Sequence, residues 1–102
     1  MIKNKILTIC IPTYNRPQAL NDQLQVLLPQ LNNEVKLIVR DNNSNYDIKK
    51  LFPELNYDKF EYIRNDFNIG ADANIARCME NCNTKWLWIL GDDDLIKNNA
   101  ST

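Results

Sequence analysis

The hydrophobic residues of the chain form four short runs that are typical of buried β-strands. These runs are "KILTICI" at 5–11, "EVKLIVR" at 34–40, "KFEYIR" at 59–64 and "KWLWIL" at 85–90. Each run is rich in β-branched or aromatic residues and is followed by a polar or turn-forming segment. We therefore predict four strands.

Two longer segments between these runs repeat their apolar residues with a helical period. The first begins at Pro17, which suits the first turn of a helix, and it should end or kink before Pro29. The second covers 71–82, and a short helix is predicted within "YDIKKLF" at 46–52. The apolar stripes are Leu20, Leu24, Leu27, Leu28 and Leu31 in the first helix, and Ala71, Ile75, Cys78, Met79 and Cys82 in the second.

Strands that alternate with helices predict one α/β domain, with a Rossmann-like, mostly parallel sheet and flanking helices. Such a sheet binds ligands in a crevice outside the carboxyl ends of its strands. Every predicted strand is followed at that end by a polar cluster: "PTYNR", "DNNS", "NDFNIG" and "GDDD", in chain order. Each cluster alone is compatible with a turn, but together they predict a binding site along one edge of the sheet.

Three consecutive aspartates, Asp92, Asp93 and Asp94, follow the fourth strand. Two carboxylates ~4–5 Å apart repel by roughly 3–4 kcal/mol at an effective dielectric near 20, so such a run needs a counter-charge. A hard divalent cation such as Mg²⁺ or Mn²⁺ takes oxygen ligands and supplies that charge. The alternative is a solvated acidic turn that caps a helix beginning near Leu95.

Polar side chains after the first two strands offer the groups that bind a nucleotide. Asp41 can accept hydrogen bonds from a base or from a ribose hydroxyl, and the alternative is an Asx-turn within "DNNS". In "PTYNR", Thr13, Tyr14 and Asn15 offer hydrogen-bonding groups, and Arg16 suits phosphate. For "PTYNR", the alternative is a capped strand-to-helix turn.

The composition narrows the function classes. The net charge of −1 gives no general attraction to nucleic acid, and no apolar run reaches the ~18 residues of a membrane span. Histidine is absent, which leaves carboxylates as the main candidates for proton transfer and metal binding. The chain contains neither Gly-x-Gly-x-x-Gly nor Gly-x-x-x-x-Gly-Lys-Ser/Thr, and it has only 2 glycines, so dinucleotide and P-loop sites are excluded. Three cysteines without a secretory signal predict buried thiols in a reducing, cytoplasmic compartment.

The chain resembles the family 2 glycosyltransferases, which have a GT-A-type nucleotide-diphospho-sugar transferase fold. The resemblance lies in "LTICIPTYNRPQAL" (7–20), "KLIVRDNNS" (36–44), "RNDFNIGADANIARCME" (64–80) and "WLWILGDDDLI" (86–96). Each segment alone is a weak signal, but their order and spacing together are specific. The resemblance implies displacement of a nucleoside diphosphate from a sugar donor, usually with inversion at the anomeric carbon.

The resemblance also implies roles for individual residues. Asp41 would hydrogen-bond the base, usually uracil, and Asp92 would lie near the ribose. The "GDDD" run looks like the family's Asp-x-Asp motif, which places Asp93 or Asp94 on Mn²⁺ or Mg²⁺. The usual motif has its first aspartate where Gly91 stands, so two registers stay open. The other residues implied along the nucleotide or its wall are Pro12, Thr13, Tyr14, Asn15, Arg16, Asn68, Gly70 and Asn74.

The catalytic base and the acceptor site of this family come from a later segment, so we assign no catalytic residue within 1–102. We expect a truncated donor-binding portion, inactive alone, of a transferase that uses a UDP-sugar and a glycan or lipid-linked acceptor in polysaccharide synthesis. The full-length protein would be cytoplasmic and peripheral at the inner face of the membrane. Later elements would cover the fourth strand, so we expect Trp86 and Trp88 to be exposed and to promote self-association.

Two other classes stay open. A non-catalytic module would bind nucleotide or metal through the same residues without transferring sugar. A phosphoacceptor signalling domain is also α/β, but it requires paired acids after the first strand, where this chain has Pro-Thr-Tyr.

Overall fold

A computed structural model describes residues 5–80 and 82–92 and shows four strands in one sheet. These are β1 (Leu7–Thr13), β2 (Val35–Asp41), β3 (Glu61–Arg64) and β4 (Trp86–Ile89). Their order is β3-β2-β1-β4, and every neighbouring pair is parallel. The α/β, Rossmann-like fold with a mostly parallel sheet is therefore confirmed.

The connections between the strands are helical, as the apolar stripes predict. The helices are α1 (Pro17–Leu27), α2 (Ile48–Leu51) and α3 (Ala71–Glu80), and 3₁₀ turns cover Leu28–Gln30 and Tyr57–Lys59. Pro17 occupies the first turn of α1, and α1 gives way to the 3₁₀ turn that contains Pro29. Both prolines act as predicted, because proline fits a first turn but cannot donate a hydrogen bond inside a helix.

The two central strands are buried on both faces, since helices cover the sheet from each side. Ile9 and Ile11 belong to the larger core cluster, which includes Leu20 and Leu24 of α1. Cys10, the residue between them, points to the opposite face and belongs to a smaller cluster with Ile38 and Cys78 of α3. The sheet is thus held between α1 on one side and α3 on the other.

The second predicted helix is shorter than its apolar stripe suggested. It ends at Glu80, and the buried residues of α3 are Asn74 and Cys78. Met79, predicted on the apolar face, is 58% exposed. Cys82 lies beyond the helix, where its backbone N–H donates to the Met79 carbonyl at 3.2 Å in a tight turn. A buried asparagine therefore takes part of the face that was expected to be apolar throughout.

Two of the three cysteines are joined. Cys10 of β1 and Cys78 of α3 form a disulfide with their Cα atoms 5.8 Å apart, and both residues are fully buried. Cys82 is a free thiol. Cys10 and Cys78 are buried as expected, but the expectation that they are thiols is wrong. The sequence did not reveal the pairing, because the two residues are 68 positions apart and meet only when α3 packs against β1.

No helix in the described part of the chain is both long enough and apolar enough to cross a membrane.

Candidate functional site

A crevice of about 310 Å³ opens at the carboxyl ends of the central strands, beside the first turn of α3. Its position is the one expected for an open parallel sheet. Among the residues predicted to bind a nucleotide, the crevice brings together all but Asn15 and Asp41. Its lining consists of Pro12, Thr13, Tyr14, Arg16, Asn42, Asn68, Gly70, Ala71, Asn74, Ile75 and Asp92.

Asp92 is held at the crevice by the end of β1. Thr13 Oγ1 donates a hydrogen bond of 2.7 Å to Asp92 Oδ2, and both residues are buried. Arg16 Nε lies 3.7 Å from Asp92 Oδ1. From the α1 side, Gln23 Nε2 donates to the Gly91 carbonyl at 2.9 Å. The first carboxylate of the acidic run therefore has a fixed place, while Asp93 and Asp94 lie outside the described residues.

The set of side chains that could bind a cation is incomplete within the part of the chain that the structure describes. Residues 5–80 and 82–92 contain no cluster of three or more side chains of the metal-binding types. Asp92 brings a hard oxygen donor to the crevice, which fits Mg²⁺ or Mn²⁺, but Arg16 already lies beside it as a counter-charge. The predicted ligands Asp93 and Asp94 would have to complete the site.

Asp41, the last residue of β2, faces the protein rather than the crevice. It is fully buried, and its Oδ1 accepts from the backbone N–H of Ser44 at 3.0 Å and from Ser44 Oγ at 2.5 Å. The hydroxyl of Tyr62 donates to its Oδ2. The geometry is that of a turn closed by an aspartate side chain, the alternative to a base contact considered for this residue. The next residue, Asn42, lines the crevice wall instead of Asp41.

Two tyrosines near Asp41 have raised pKa values. Burial raises the pKa of Tyr62 well above its ordinary value, and the hydrogen bond to the Asp41 carboxylate adds to the shift. Burial and the charge of Asp41 also raise the pKa of Tyr46. Tyr62 therefore stays protonated at neutral pH and acts as a donor to the carboxylate.

Four asparagines form a continuous hydrogen-bonded network behind the crevice wall. Asn74 Nδ2 donates to the carbonyl of Arg40 at 3.0 Å. Asn65 Nδ2 donates to Asn74 Oδ1 at 2.9 Å and to Asn42 Oδ1 at 3.0 Å. Asn42 Nδ2 then donates to Asn68 Oδ1 at 2.9 Å. The network ties α3, β2 and the segment after β3 into one wall.

Backbone groups fix the direction of three of the four amides in this network, and the fixed oxygens of Asn42 and Asn74 then fix that of Asn65. The Ile69 N–H donates to Asn42 Oδ1 at 2.9 Å, and the Gly70 N–H donates to Asn68 Oδ1 at 2.8 Å. A backbone N–H only donates, so each of these side-chain atoms must be the oxygen. At the other end, the Arg40 carbonyl only accepts, so the Asn74 atom beside it must be the nitrogen.

Asn15 joins two loops instead of lining the crevice. Its backbone has a φ of 51°, a left-handed conformation that asparagine tolerates better than most residues. Its side-chain Oδ1 accepts from the backbone N–H of Asn45 at 2.7 Å, and its own N–H donates to Ser44 Oγ at 2.8 Å. The loop after β1 and the loop after β2 are thereby held together.

The sequence reasoning missed Asn42, Asn65 and Tyr62 as site residues. The available signal was the repeated asparagine in the clusters after the second and third strands, which we interpreted as turn chemistry. Tyr62 lies within β3 and gave no signal, because its contact with Asp41 depends on β2–β3 register, in which Arg64 pairs with Asp41.

Comparison with known proteins finds a match over nearly the whole chain. A family model described as "Glycosyl transferase family 2" matches residues 8–101. The abequosyltransferase RfbV of Salmonella typhimurium is 29% identical over 100 residues, which cover 93% of this chain and 30% of RfbV. A GalNAc(5)-diNAcBac-PP-undecaprenol beta-1,3-glucosyltransferase of Campylobacter jejuni is 26% identical over 97 residues, which cover 92% of this chain and 31% of that protein. The chain thus spans under a third of the length of these relatives.

Solved structures share the fold at lower identity. A crystal structure of S. aureus TarS 1–349 in complex with UDP has a TM-score of 0.76 at 17% identity, covering 91% of this chain and 29% of that one. The same TarS segment in complex with UDP-GlcNAc has a TM-score of 0.71 at 18% identity, covering 94% and 29%. These structures show that the strands and helices described above form the same arrangement in a larger protein.

Proposed function

Because the chain belongs to glycosyl transferase family 2, we propose that its crevice binds the nucleoside diphosphate of a nucleotide-sugar donor. The observation that carries this proposal is the meeting of Thr13, Arg16 and Asp92 at one end of the crevice. These residues come from opposite ends of the chain, yet they place a guanidinium and a carboxylate side by side. The UDP and UDP-GlcNAc complexes of TarS, which share this fold, support a nucleotide-sugar ligand.

Each group at this end suits one part of the donor. Arg16 offers a guanidinium that pairs with diphosphate oxygens, and Asp92 accepts hydrogen bonds from ribose hydroxyls. Tyr14, which is 43% exposed, presents its ring to a stacked base or sugar. The crevice volume lies at the lower end of the range for small-molecule sites, and its walls combine polar and apolar groups.

A divalent cation, Mn²⁺ or Mg²⁺, is part of the proposal. Asp93 and Asp94 would hold it next to Asp92, and the cation would stabilise the charge that develops on the departing diphosphate. The Arg16 side chain lies at 3.7 Å from Asp92, so its guanidinium shares this task at the same end of the crevice.

The chain would supply donor recognition for an inverting sugar transfer in polysaccharide or glycan synthesis. The acceptor, a glycan or a lipid-linked glycan, would bind to later parts of a longer protein, and the catalytic base would come from there as well. We assign no catalytic base to any residue in 1–102.

Calorimetric titration of the purified chain with two pyrimidine nucleoside diphosphates, UDP and CDP, each with and without Mn²⁺, tests the proposal. We expect binding that Mn²⁺ strengthens, and a loss of about tenfold or more in affinity for Asp92→Asn and for Asp93→Ala, which corresponds to ~1.4 kcal/mol. Asp58→Asn is the matched control, since Asp58 is exposed in the 3₁₀ turn before β3. No binding of UDP or CDP, or no effect of either site substitution, would overturn the proposal.

Binding alone does not separate a transferase from a non-catalytic module. Release of free sugar from a donor, or its transfer to an acceptor, separates them when it is measured on a protein that continues beyond residue 102. Binding without either reaction would favour the non-catalytic module.

A further inference from the structure

We infer that the corner of the crevice formed by Asn42 and Asn68 recognises the nucleotide base and favours cytosine over uracil. This inference rests on the proposed function, because it assumes that the crevice holds a nucleoside diphosphate. It names the base of the donor, and it differs from the expectation of uracil that the family resemblance suggests.

The side-chain oxygens at this corner are already fully used. Asn42 Oδ1 accepts from Asn65 Nδ2 and from the Ile69 N–H, at 3.0 and 2.9 Å. Asn68 Oδ1 accepts from Asn42 Nδ2 and from the Gly70 N–H, at 2.9 and 2.8 Å. An amide oxygen has two lone pairs, so neither oxygen can accept a third hydrogen bond from a ligand.

The side-chain nitrogens, in contrast, still carry hydrogens that can be donated. Each Nδ2 has two hydrogens, and Asn42 uses one of them for its bond to Asn68. Within residues 5–80 and 82–92, Asn68 Nδ2 donates no hydrogen bond, so both of its hydrogens remain for a ligand. Both residues line the crevice: the Asn68 side chain is exposed, and Asn42 is 3% exposed. The corner therefore offers donors to a ligand and no side-chain acceptor of its own.

Neither amide can reverse to offer its oxygen instead. A flipped Asn42 would turn its NH₂ group toward the Ile69 N–H, and a flipped Asn68 would do the same toward the Gly70 N–H. Each flip would replace a hydrogen bond by a contact between two donors and leave a backbone N–H without a partner. The backbone N–H groups of residues 69–70 therefore hold both amides with their NH₂ groups available as donors.

The neighbouring carboxylate does not supply the missing acceptor. Asp41 is fully buried, and its two oxygens accept from Ser44 and from Tyr62. At the end of β2 a base in the crevice would contact Asn42, which lines the crevice, rather than Asp41, which does not. To accept from a base N–H, Asp41 would have to leave its buried position at the end of β2.

The two pyrimidines differ in the edge that they present to such a corner. Cytosine has two adjacent acceptors, O2 and N3, which suit two side-chain N–H donors. Uracil carries a hydrogen on N3, between its two carbonyl oxygens, and that N–H would face the amide N–H groups. Specificity then arises from a repulsive contact with the wrong base as well as from hydrogen bonds with the right one.

Calorimetric titration of the whole chain with CDP and with UDP, each with Mn²⁺, tests this inference. We expect CDP to bind about tenfold more tightly than UDP, because one donor–acceptor pair is replaced by a donor–donor contact. Asn42→Asp replaces the amide by an acceptor-only carboxylate, so the preference should shift toward UDP. Asn32→Asp is the matched control: Asn32 is exposed, and its Oδ1 accepts from the backbone N–H of Glu34, which an aspartate can also do.

The outcomes are distinct. UDP binding as tightly as CDP, or more tightly, overturns the inference and leaves the proposed function in place. A folded Asn42→Asp protein with an unchanged ratio overturns the role of Asn42. If Asn42→Asp fails to fold, Asn68→Ala takes its place, since Asn68 is exposed and its loss should reduce the preference for CDP. Binding of neither nucleotide overturns the proposed function and the base preference together.

Discussion

Thr13 Oγ1 lies 2.7 Å from Asp92 Oδ2, in a buried hydrogen bond that joins residues 79 positions apart in the sequence. The bond exists because β4 pairs with β1 in parallel, which brings the carboxyl ends of both strands to the same edge. The position of Asp92 in the crevice thus depends on a threonine hydroxyl at the end of the first strand.

Thr13→Val should weaken binding of UDP and Mn²⁺ by about tenfold. The substitution keeps the shape of the side chain but removes the donor to Asp92, and a hydrogen bond to a charged group is worth about 1.5–3 kcal/mol. Thr8→Val is the matched control, because Thr8 is buried at the other end of β1 and its hydroxyl lies 2.7 Å from Thr84 Oγ1. Both substitutions should lower stability, but only Thr13→Val should lower the affinity measured by calorimetry. Equal affinity losses would contradict this.

The free energy of unfolding should fall as the pH rises above about 10, and Tyr62 should account for part of the fall. The folded protein holds the pKa of Tyr62 above the ordinary 10.0, so only the unfolded chain loses this proton as the pH passes that value. The stabilisation is therefore complete below about pH 10 and is lost above it. Urea unfolding between about pH 8 and about pH 11 measures the slope.

Tyr62→Phe separates this contribution from general alkaline effects. It should lower stability at neutral pH by about 1–3 kcal/mol, because Asp41 loses a donor, and it should make the alkaline slope shallower. Tyr14→Phe serves as the control, since the Tyr14 side chain is 43% exposed at the crevice. An alkaline slope that is the same in both variants would remove Tyr62 as its source.

Reduction of the disulfide should destabilise the protein by about 4 kcal/mol, the chain-entropy value for a closed loop of this length. The loop runs from Cys10 to Cys78, with a sequence separation of 68. Without reductant, alkylation of the denatured chain should label Cys82 alone, and mass spectrometry should show two more labels after reduction. Cys82→Ser should lose the same stability on reduction as the original chain. Three labels without reductant would show that the bond does not form.

The outer edge of β4 should promote self-association. Trp86 is 60% exposed, as expected, but Trp88 is partly buried against the core, so the expectation that it is exposed is wrong. Among the described strands β4 pairs only with β1, so its other edge is open within residues 5–80 and 82–92. Trp86→Lys should shift sedimentation toward the monomer. Leu51→Lys is the control, because Leu51 is 50% exposed on α2, away from that edge. A chain that stays monomeric at high concentration, before any substitution, would count against the prediction.

Local patterns were sufficient for the elements of the fold but not for their arrangement. The four strands and α1 follow from periodicity and from the two prolines, because these are properties of neighbouring residues. The order β3-β2-β1-β4 does not follow, since β1 pairs with a strand almost 80 residues later. The pairing of Cys10 with Cys78 has the same origin, because it requires α3 to lie against β1.

In the candidate site, too, local patterns predicted some residues, and others depend on tertiary contacts. Thr13, Arg16 and Asp92 were predicted together because each belongs to a polar cluster that follows a predicted strand, and parallel strands end at one edge. Asp41 and Asn42 are adjacent in sequence, and period-2 alternation places their side chains on different sides of the strand end. Sequence reasoning chose the carboxylate because of its charge. The hydrogen bonds from Ser44 and Tyr62 that enclose Asp41 are tertiary contacts, which no local pattern shows.

The order of the strands also determines when each part of the sheet can form during synthesis. β1 and β2 are complete once Asp41 has been made, but β4 ends at Ile89. At about 5–20 residues per second, the ribosome needs roughly 2–10 seconds to add the intervening segment. During this interval one edge of β1 has no partner, although β1 becomes a central strand in the finished sheet. The nascent chain is therefore most exposed to wrong strand pairing at β1, and a chaperone that binds extended apolar segments would act there.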